Sequence, residues 1–442
     1  MAHPIVAVVG RPNVGKSTLV NRIAQTSQAI VHESAGVTRD RSYHDAEWNG
    51  RTFTLIDTGG IELASQDIFQ ESIANQAYLA CEQADAIIFL VDGRAGVTPE
   101  DENVARTLKR SKKPLFLVVN KLDNPADESA LWDFYSFGLG DPYPVSSIHG
   151  HGTGDLLDDV VAALPEPEEE EVIEDDAINV AIIGRPNAGK SSLTNRMTKK
   201  ERSIVSDVAG TTRDALDTLV EHEGTRYRIV DTAGLRKKSV INDDIEYYGF
   251  VRAMRAIDRA DVTLLVVDST LGITDQDQRV ANLAIERGCG LVILLNKWDL
   301  LTTPEAREEV MLSLERNFGF VSYAPLIRIS ALTGRSIHRI WDAIDIAAQN
   351  RAQRLTTSRI NKLVQEIKEF GHTVTKGTRQ LKINYATQTG VCPPEITFFA
   401  NSPDMVTDSF RRYLENRLRE TFDFTGTPLK IRFKNKQRHD DL

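Results

Sequence analysis

An eight-residue stretch that occurs twice constrains this chain more than any other feature. Residues 10–17 read Gly-Arg-Pro-Asn-Val-Gly-Lys-Ser and residues 184–191 read Gly-Arg-Pro-Asn-Ala-Gly-Lys-Ser, identical at seven of eight positions. Each follows a short apolar run and opens a helix-compatible segment, so a strand–loop–helix turn is expected twice. The glycines (Gly10, Gly15, Gly184, Gly189) let the backbone curl until several N–H groups point at phosphate oxygens. The helix N-terminus adds partial positive charge. Lys16 and Lys190 are then placed to reach the β and γ phosphates, and Ser17 and Ser191 to ligate magnesium. Arg11, Pro12, Asn13 and Val14, with Arg185, Pro186, Asn187 and Ala188, complete the two loops.

The repeat extends beyond the loops. Gly10 to Asp57 spans 47 positions, as does Gly184 to Asp231, and between them Gly-Val-Thr-Arg-Asp at 36–40 falls in register with Gly-Thr-Thr-Arg-Asp at 210–214. Ungapped register means a duplicated domain. In the first copy, apolar runs at 52–56, 86–91 and 115–119 resemble parallel strands buried on both faces. Helical stretches at 66–81 and 100–110 separate them, and a strand at 142–145 and a helix at 154–164 close the unit. The second copy has runs at 262–267, 291–295 and 326–329 and a final helix at 336–348. This is a doubly wound α/β pattern with mostly parallel sheets and ligands at the carboxyl ends of the strands. Domains are expected at 1–165 and 178–350, joined by an acidic linker at 166–177, where residues 166–176 hold eight acidic residues in eleven. Such a run repels itself and builds no core. From 351 to 442 the rhythm changes: helix 360–370, strands 381–386 and 396–400, helix 405–421 and strand 429–433 make a small α+β domain without a phosphate loop.

Charge adds a second asymmetry. Residues 351–442 carry 17 Lys+Arg against 10 Asp+Glu, so a tail of +7 sits on a remainder of −17 within a net charge of −10. A basic end on an acidic chain suggests a nucleic-acid partner, against the plainer reading of edge protection and a solvated terminus. Cys81, Cys289 and Cys392 are too scattered for a disulfide framework or metal cluster, which suits a reducing compartment. No signal peptide is seen and no run approaches the roughly 20 apolar residues of a membrane span, so a cytoplasmic location and no membrane partner are expected.

Asn120, Lys121, Leu122 and Asp123, and again Asn296, Lys297, Trp298 and Asp299, each follow an apolar strand. The Asp carboxylate can accept N1–H and N2–H of guanine, where adenine would present a lone pair, and Asn can bond the N7/O6 edge. Asp57, Thr58, Gly59 and Gly60 match Asp231, Thr232, Ala233 and Gly234. There the Asp would hold magnesium through water and the second Gly amide would sense the γ phosphate. Thr38 and Thr212 would complete the magnesium shell, and Ser146-Ser147 and Ser330-Ala331 would support guanine O6. The expected catalytic set is therefore Asn13, Lys16, Thr38 and Gly60 with Asn187, Lys190, Thr212 and Gly234, in two GTP sites. The position that often carries a water-orienting Gln is Ile61 or Leu235, so slow intrinsic turnover is expected.

The pairing of these loops with Asp-Thr-Gly-Gly and Asp-Thr-Ala-Gly across an acidic linker resembles the tandem-GTPase family EngA, also called Der, over essentially the whole chain. The resemblance implies two P-loop GTPase domains followed by a KH-like domain, GTP and GDP as ligands, Mg2+ as cofactor, and a role in assembling the bacterial large ribosomal subunit through rRNA. A monomer is expected. Ser147 stands where the family pattern has Ala, and the tail lacks the Gly-x-x-Gly clamp of ordinary KH domains. Asn13 and Asn187 match the position that ligates K+ in potassium-activated relatives; the alternative is that they only brace the loop. Two rival functions are an RNA-binding assembly scaffold with structural nucleotide sites, and a tRNA-modification GTPase.

Overall fold

The computed structural model describes residues 3–26, 43–58, 84–123, 125–166, 176–200, 202–203, 217–230, 245–369, 375–376 and 379–435. The expected helix at 66–81, and Cys81 with it, lie outside the described residues, as do 167–175 of the acidic stretch. Two compact units are distinguished, one built around each phosphate loop, and the second includes the tail.

The first sheet contains β1 (Ile5–Val9), β2 (Tyr43–Trp48), β3 (Arg51–Asp57), β4 (Ala86–Asp92), β5 (Leu115–Asn120) and β6 (Tyr143–Pro144), in the order β2-β3-β1-β4-β5-β6. All pairings are parallel except β2 with β3. β1 and β4 are buried along their whole length, which is why they read as unbroken apolar runs. The helix Lys16–Thr26 lays Leu19 and Ile23 on one face of the sheet, against Val6, Val8, Phe53 and Val160. β2 carries no clear alternation of apolar residues and escapes sequence reading. Its signal is the turn that follows: Asn49 and Gly50 hold φ of 49° and 76°, the left-handed pair that a two-residue hairpin demands.

The second sheet repeats the plan with β7 (Ile178–Ile183), β8 (Arg202–Ser203), β9 (Thr218–His222), β10 (Thr225–Val230), β11 (Val262–Asp268), β12 (Gly290–Asn296) and β13 (Leu326–Arg328). Their order is β13-β12-β11-β7-β10-β9-β8, with the short β8 added at the edge. Glu223-Gly224 repeats the hairpin turn, at φ 49° and 85°. In both sheets the strand carrying the phosphate loop lies between neighbours reached by opposite crossovers, which opens a crevice at the strands' carboxyl ends. Register aligns Asp92 with Asn120 and Asp268 with Asn296 at that edge.

The tail begins with helix Thr357–Glu369 and a small ribbon of β14 (Thr375–Lys376) and β15 (Arg379–Gln380). β16 (Ile383–Gly390), β17 (Glu395–Ala400) and β18 (Lys430–Asn435) form its sheet, antiparallel and then parallel. The helix expected from residue 405 starts at Asp408, because Thr407 caps it by accepting the Phe410 N–H while Met405 closes a separate 3-10 turn. Both helices cover one face of the sheet, packing Ile360, Val364, Leu414 and Leu418 on Ala386, Ile396, Phe398 and Ile431.

This layer is joined to the second sheet by backbone as well as side chains. Leu291 N–H donates to Gly426 O at 2.7 Å and Gly426 N–H to Tyr323 O at 2.9 Å. Arg351 donates to Gly288 O at 2.9 Å and to Asp261 at 2.7 Å, and the Arg419 guanidinium lies 4.0 Å over the Tyr323 ring. Several of the tail's arginines are thus used internally: Arg417 pairs with Glu366 and Glu420, Arg419 with Glu415, and Arg411 stacks on Phe433.

Candidate functional site

Each phosphate loop is shaped by contacts that only glycine permits. A Cβ on Gly10 would sit 2.2 Å from Leu90 O, and one on Gly15, at φ 101°, would sit 2.4 Å from Asn120 Nδ2. Gly184 and Gly189 repeat this against Val266 O and Asn296 Nδ2, both at 2.2 Å. Asn13 and Asn187 take φ of 65° and 60°, a left-handed conformation that asparagine tolerates better than most residues. Their side-chain type therefore has a backbone reason independent of any cation.

The loop lysines curl over their own loops. Lys16 Nζ donates to Gly10 O at 2.8 Å and Arg11 O at 3.0 Å; Lys190 Nζ donates to Gly184 O and Arg185 O, each at 2.7 Å. Burial pushes the Lys16 ammonium below its usual range, opposed by Asp57. It pushes Lys190 down to about 8, opposed by Asp277. Each loop's base is pinned by an ion pair: Arg11 to Asp101 and Arg185 to Asp277, both 3.3 Å, with carboxylates that are fully buried. Burial raises both carboxyls, while the partnering threonines and arginines pull the other way. Those carboxylates sit in capping boxes with Thr98 and Thr274, so each helix start also anchors a loop.

The two Asn-Lys-x-Asp stretches converge on the same loops. Asn120 Nδ2 donates to Val14 O and Asn296 Nδ2 to Ala188 O, each at 2.7 Å. Asn120 Oδ1 accepts from Ser147 N at 3.0 Å and Ser147 Oγ at 2.8 Å; Asn296 Oδ1 accepts from Ala331 N at 2.9 Å. Ser147 thus keeps the backbone bond that Ala331 makes and adds a hydroxyl. Lys121 Nζ reaches Asp92 at 2.7 Å and Lys297 Nζ reaches Asp268 at 2.5 Å, from left-handed backbone at φ 68° and 61°. Burial pushes Asp92 and Asp268 up, but their lysine and backbone partners outweigh it and hold both below the ordinary carboxylate range. Ser17 Oγ donates to Asp57 Oδ2 at 2.5 Å, bringing hydroxyl and carboxylate oxygens together at the helix start. Thr58 Oγ1 donates to Val8 O at 2.8 Å.

Thr38, Gly59, Gly60, Ile61, Thr212, Asp231, Thr232, Ala233, Gly234 and Leu235 lie outside the described residues. Among the described residues, Pro12, Asn13, Val14, Gly15, Lys16, Ser17, Asp57, Asn120, Lys121 and Asp123 gather at the carboxyl ends of the strands of the first sheet. Sequence reasoning missed Asp92 and Asp268, the two buried acids behind Arg11 and Arg185, and Arg22 and Arg196. These last reach from the loop helix to Ser147 O at 3.2 Å and Ala331 O at 3.4 Å. A signal was present: each residue recurs at the same place in both copies.

A family model described as a 50S ribosome-binding GTPase matches residues 5–121 and again 179–297. A second, described as the KH-domain-like C-terminal domain of EngA bacterial GTPase enzymes, matches residues 354–434. The chain is 47% identical over 443 residues to the GTPase Der of Heliobacterium modesticaldum, covering 100% of both. It is 46% identical over 445 residues to the GTPase Der of Desulfitobacterium hafniense, covering 99% of this chain and 100% of that one. The Geobacillus thermodenitrificans GTPase Der is 46% identical over 435 residues, with 98% and 99% covered. Among the described residues, no helix is long and apolar enough to cross a membrane.

Proposed function

Since the chain belongs to the Der (EngA) family and is a GTP-hydrolysing enzyme, we propose that it acts in the cytoplasm as a monomeric switch in assembly of the large ribosomal subunit, with rRNA as partner. The observation that carries this reading is the doubled constellation. In each copy the guanine-reading Asn holds the phosphate loop by a 2.7 Å bond to Val14 O or Ala188 O, so base and phosphate recognition are mechanically coupled twice in one chain.

Within each site the chain's own groups divide the work. Loop N–H groups and Lys16 or Lys190 neutralise the phosphates, and Asp123 or Asp299 selects guanine. The Ser17–Asp57 pair offers two hard oxygen donors of the kind a small divalent cation takes, and by sequence register Ser191 with Asp231 would be the second set. Magnesium, when bound, supplies charge to the β and γ phosphate oxygens. Thr38 and Thr212, with Gly60 and Gly234, would sense the γ phosphate, and their loops would reorder after hydrolysis. With Ile61 and Leu235 in place of a water-orienting Gln, turnover relies on positioning and on charge, and K+ held near Asn13 and Asn187 is the proposed extra source.

Co-sedimentation on sucrose gradients tests the partner. Binding to purified large subunits should be stronger with a non-hydrolysable GTP analogue than with GDP, and should weaken with salt. Equal pelleting with both nucleotides would remove the switch from this reading.

A further inference from the structure

The tail's sheet has one face with an unusual occupant. Pairing sets Tyr385 opposite Phe399 and Thr387 opposite Thr397, and then Thr397 opposite Arg432 and Phe399 opposite Lys434. Strand side chains alternate, so these six share a face, while Ala386, Ile396, Phe398 and Ile431 point into the helices. The Tyr385 and Phe399 rings stack at 4.4 Å between centroids and 10° between planes, yet Tyr385 remains 41% exposed. Beside them the edge strand presents Arg432 and Lys434, both exposed. Glu395 holds Arg432 at 2.8 Å, which fixes one guanidinium on the face, and Lys434 lies exposed at its rim.

A stacked, accessible aromatic pair bordered by cations matches the chemistry of unpaired nucleotides: a base face continues the ring stack while phosphates meet the basic edge. A-form duplex buries its base faces and cannot use such a platform. Without a Gly-x-x-Gly clamp, the tail needs some other way to hold RNA. We propose that this outer sheet face, centred on Tyr385 and Phe399, is a binding platform for single-stranded RNA. It rests on the rRNA-partner reading and names the surface that reading requires.

The test uses the full chain, with a fluorescein-labelled single-stranded oligoribonucleotide of about ten nucleotides carrying one 5-iodouridine, and a duplex of the same sequence. The parent should bind the single strand more tightly than the duplex, and light should cross-link the iodouridine to Tyr385 or Phe399. Tyr385→Ala should lose about tenfold in affinity, while Tyr385→Phe stays within about twofold. Lys434→Ala should flatten the dependence of log affinity on log salt by about 0.7. Unchanged GTP hydrolysis in each variant shows that the fold is intact. Unaltered binding in Tyr385→Ala, cross-links confined to another surface, or equal affinity for the duplex would overturn the platform, as would a parent that binds a protein partner but no RNA. Large-subunit co-sedimentation in the same preparations separates the two ideas. If the parent pellets and Tyr385→Ala matches it in both assays, only the platform falls; if the parent does not pellet, the partner reading falls.

Discussion

The two nucleotide sites share a frame and differ at the rim. Phosphate-loop shape, the lysine folded over loop carbonyls, the Asn tether and the buried Arg–Asp pin are the same in both copies. The carboxylate expected to read guanine is not. Asp123 accepts from Ser146 Oγ at 2.7 Å and pairs with Arg94. The Ser146 bond, with the charges of Arg94, His149 and His151, holds it below the usual range despite some desolvation. The second copy has Thr270 where the first has Arg94, and Thr270 Oγ1 donates instead to Asp268 at 2.7 Å. Among the described residues, no hydrogen-bond or ion-pair partner is seen for the Asp299 carboxylate. Duplicated domains thus keep what bends the backbone and vary what meets the ligand's edge, because a changed rim residue costs the fold little. If Asp123 and Asp299 read guanine, Asp123 must release Arg94 to do so, whereas Asp299 has no such partner among the described residues.

The largest effect should come from converting the readers themselves. Asp123→Asn and Asp299→Asn should each move one site from guanine to xanthine nucleotides, by roughly 10⁴-fold in preference. Titration with labelled GDP and XDP measures each site, and retention of guanine preference in both variants would end the assignment. The pair also provides site-separated proteins for the measurements below.

Next in size is the cation. If K+ supplies charge that Ile61 and Leu235 cannot recruit, turnover in potassium should exceed that in sodium by up to about 10³-fold. Asn13→Gly keeps the left-handed loop while removing the side-chain oxygen. Potassium activation that survives this change in the first site would show that Asn13 only braces the backbone.

The pH response should differ in the second site. Burial pushes Lys190 down to about 8 and bound phosphate favours its charged form, so binding above that pH should take up a proton. Affinity there should fall as pH rises past about 8, by up to about tenfold per unit. Lys16 is shifted the same way, with Asp57 opposing. Calorimetry in buffers of unlike ionisation enthalpy reads the proton directly, and no uptake near pH 9 would contradict the shift.

The smallest effect tests the rim. In an Asp299→Asn background, Arg94→Thr should tighten GDP at the first site and slow its release, by no more than about fivefold because exposed ion pairs are weak. Looser binding would mean that Arg94 helps to hold the nucleotide, and the contrast drawn between the sites would reverse.

Much of this protein is legible in its sequence, for local reasons. The Gly, Lys, Ser and Asn of each loop answer to backbone geometry within eight residues, and strands buried on both faces must be apolar throughout, so β1, β4, β5, β11 and β12 announce themselves. The Asn49-Gly50 turn was equally local, but β2 beside it was hidden because an edge strand need not be apolar. What the tertiary structure decided is separated in sequence. Arg11 meets Asp101 only because crossover connections bring a helix start under the loop, and Lys121 meets Asp92 only because β4 and β5 end in register. The tail was readable as a helix–strand pattern, yet its backbone bonds to Leu291 and Tyr323 were not. Nor was the stacked pair of Tyr385 and Phe399, since strand pairing puts residues 14 positions apart on one face, and no periodicity within a single strand reports its neighbour.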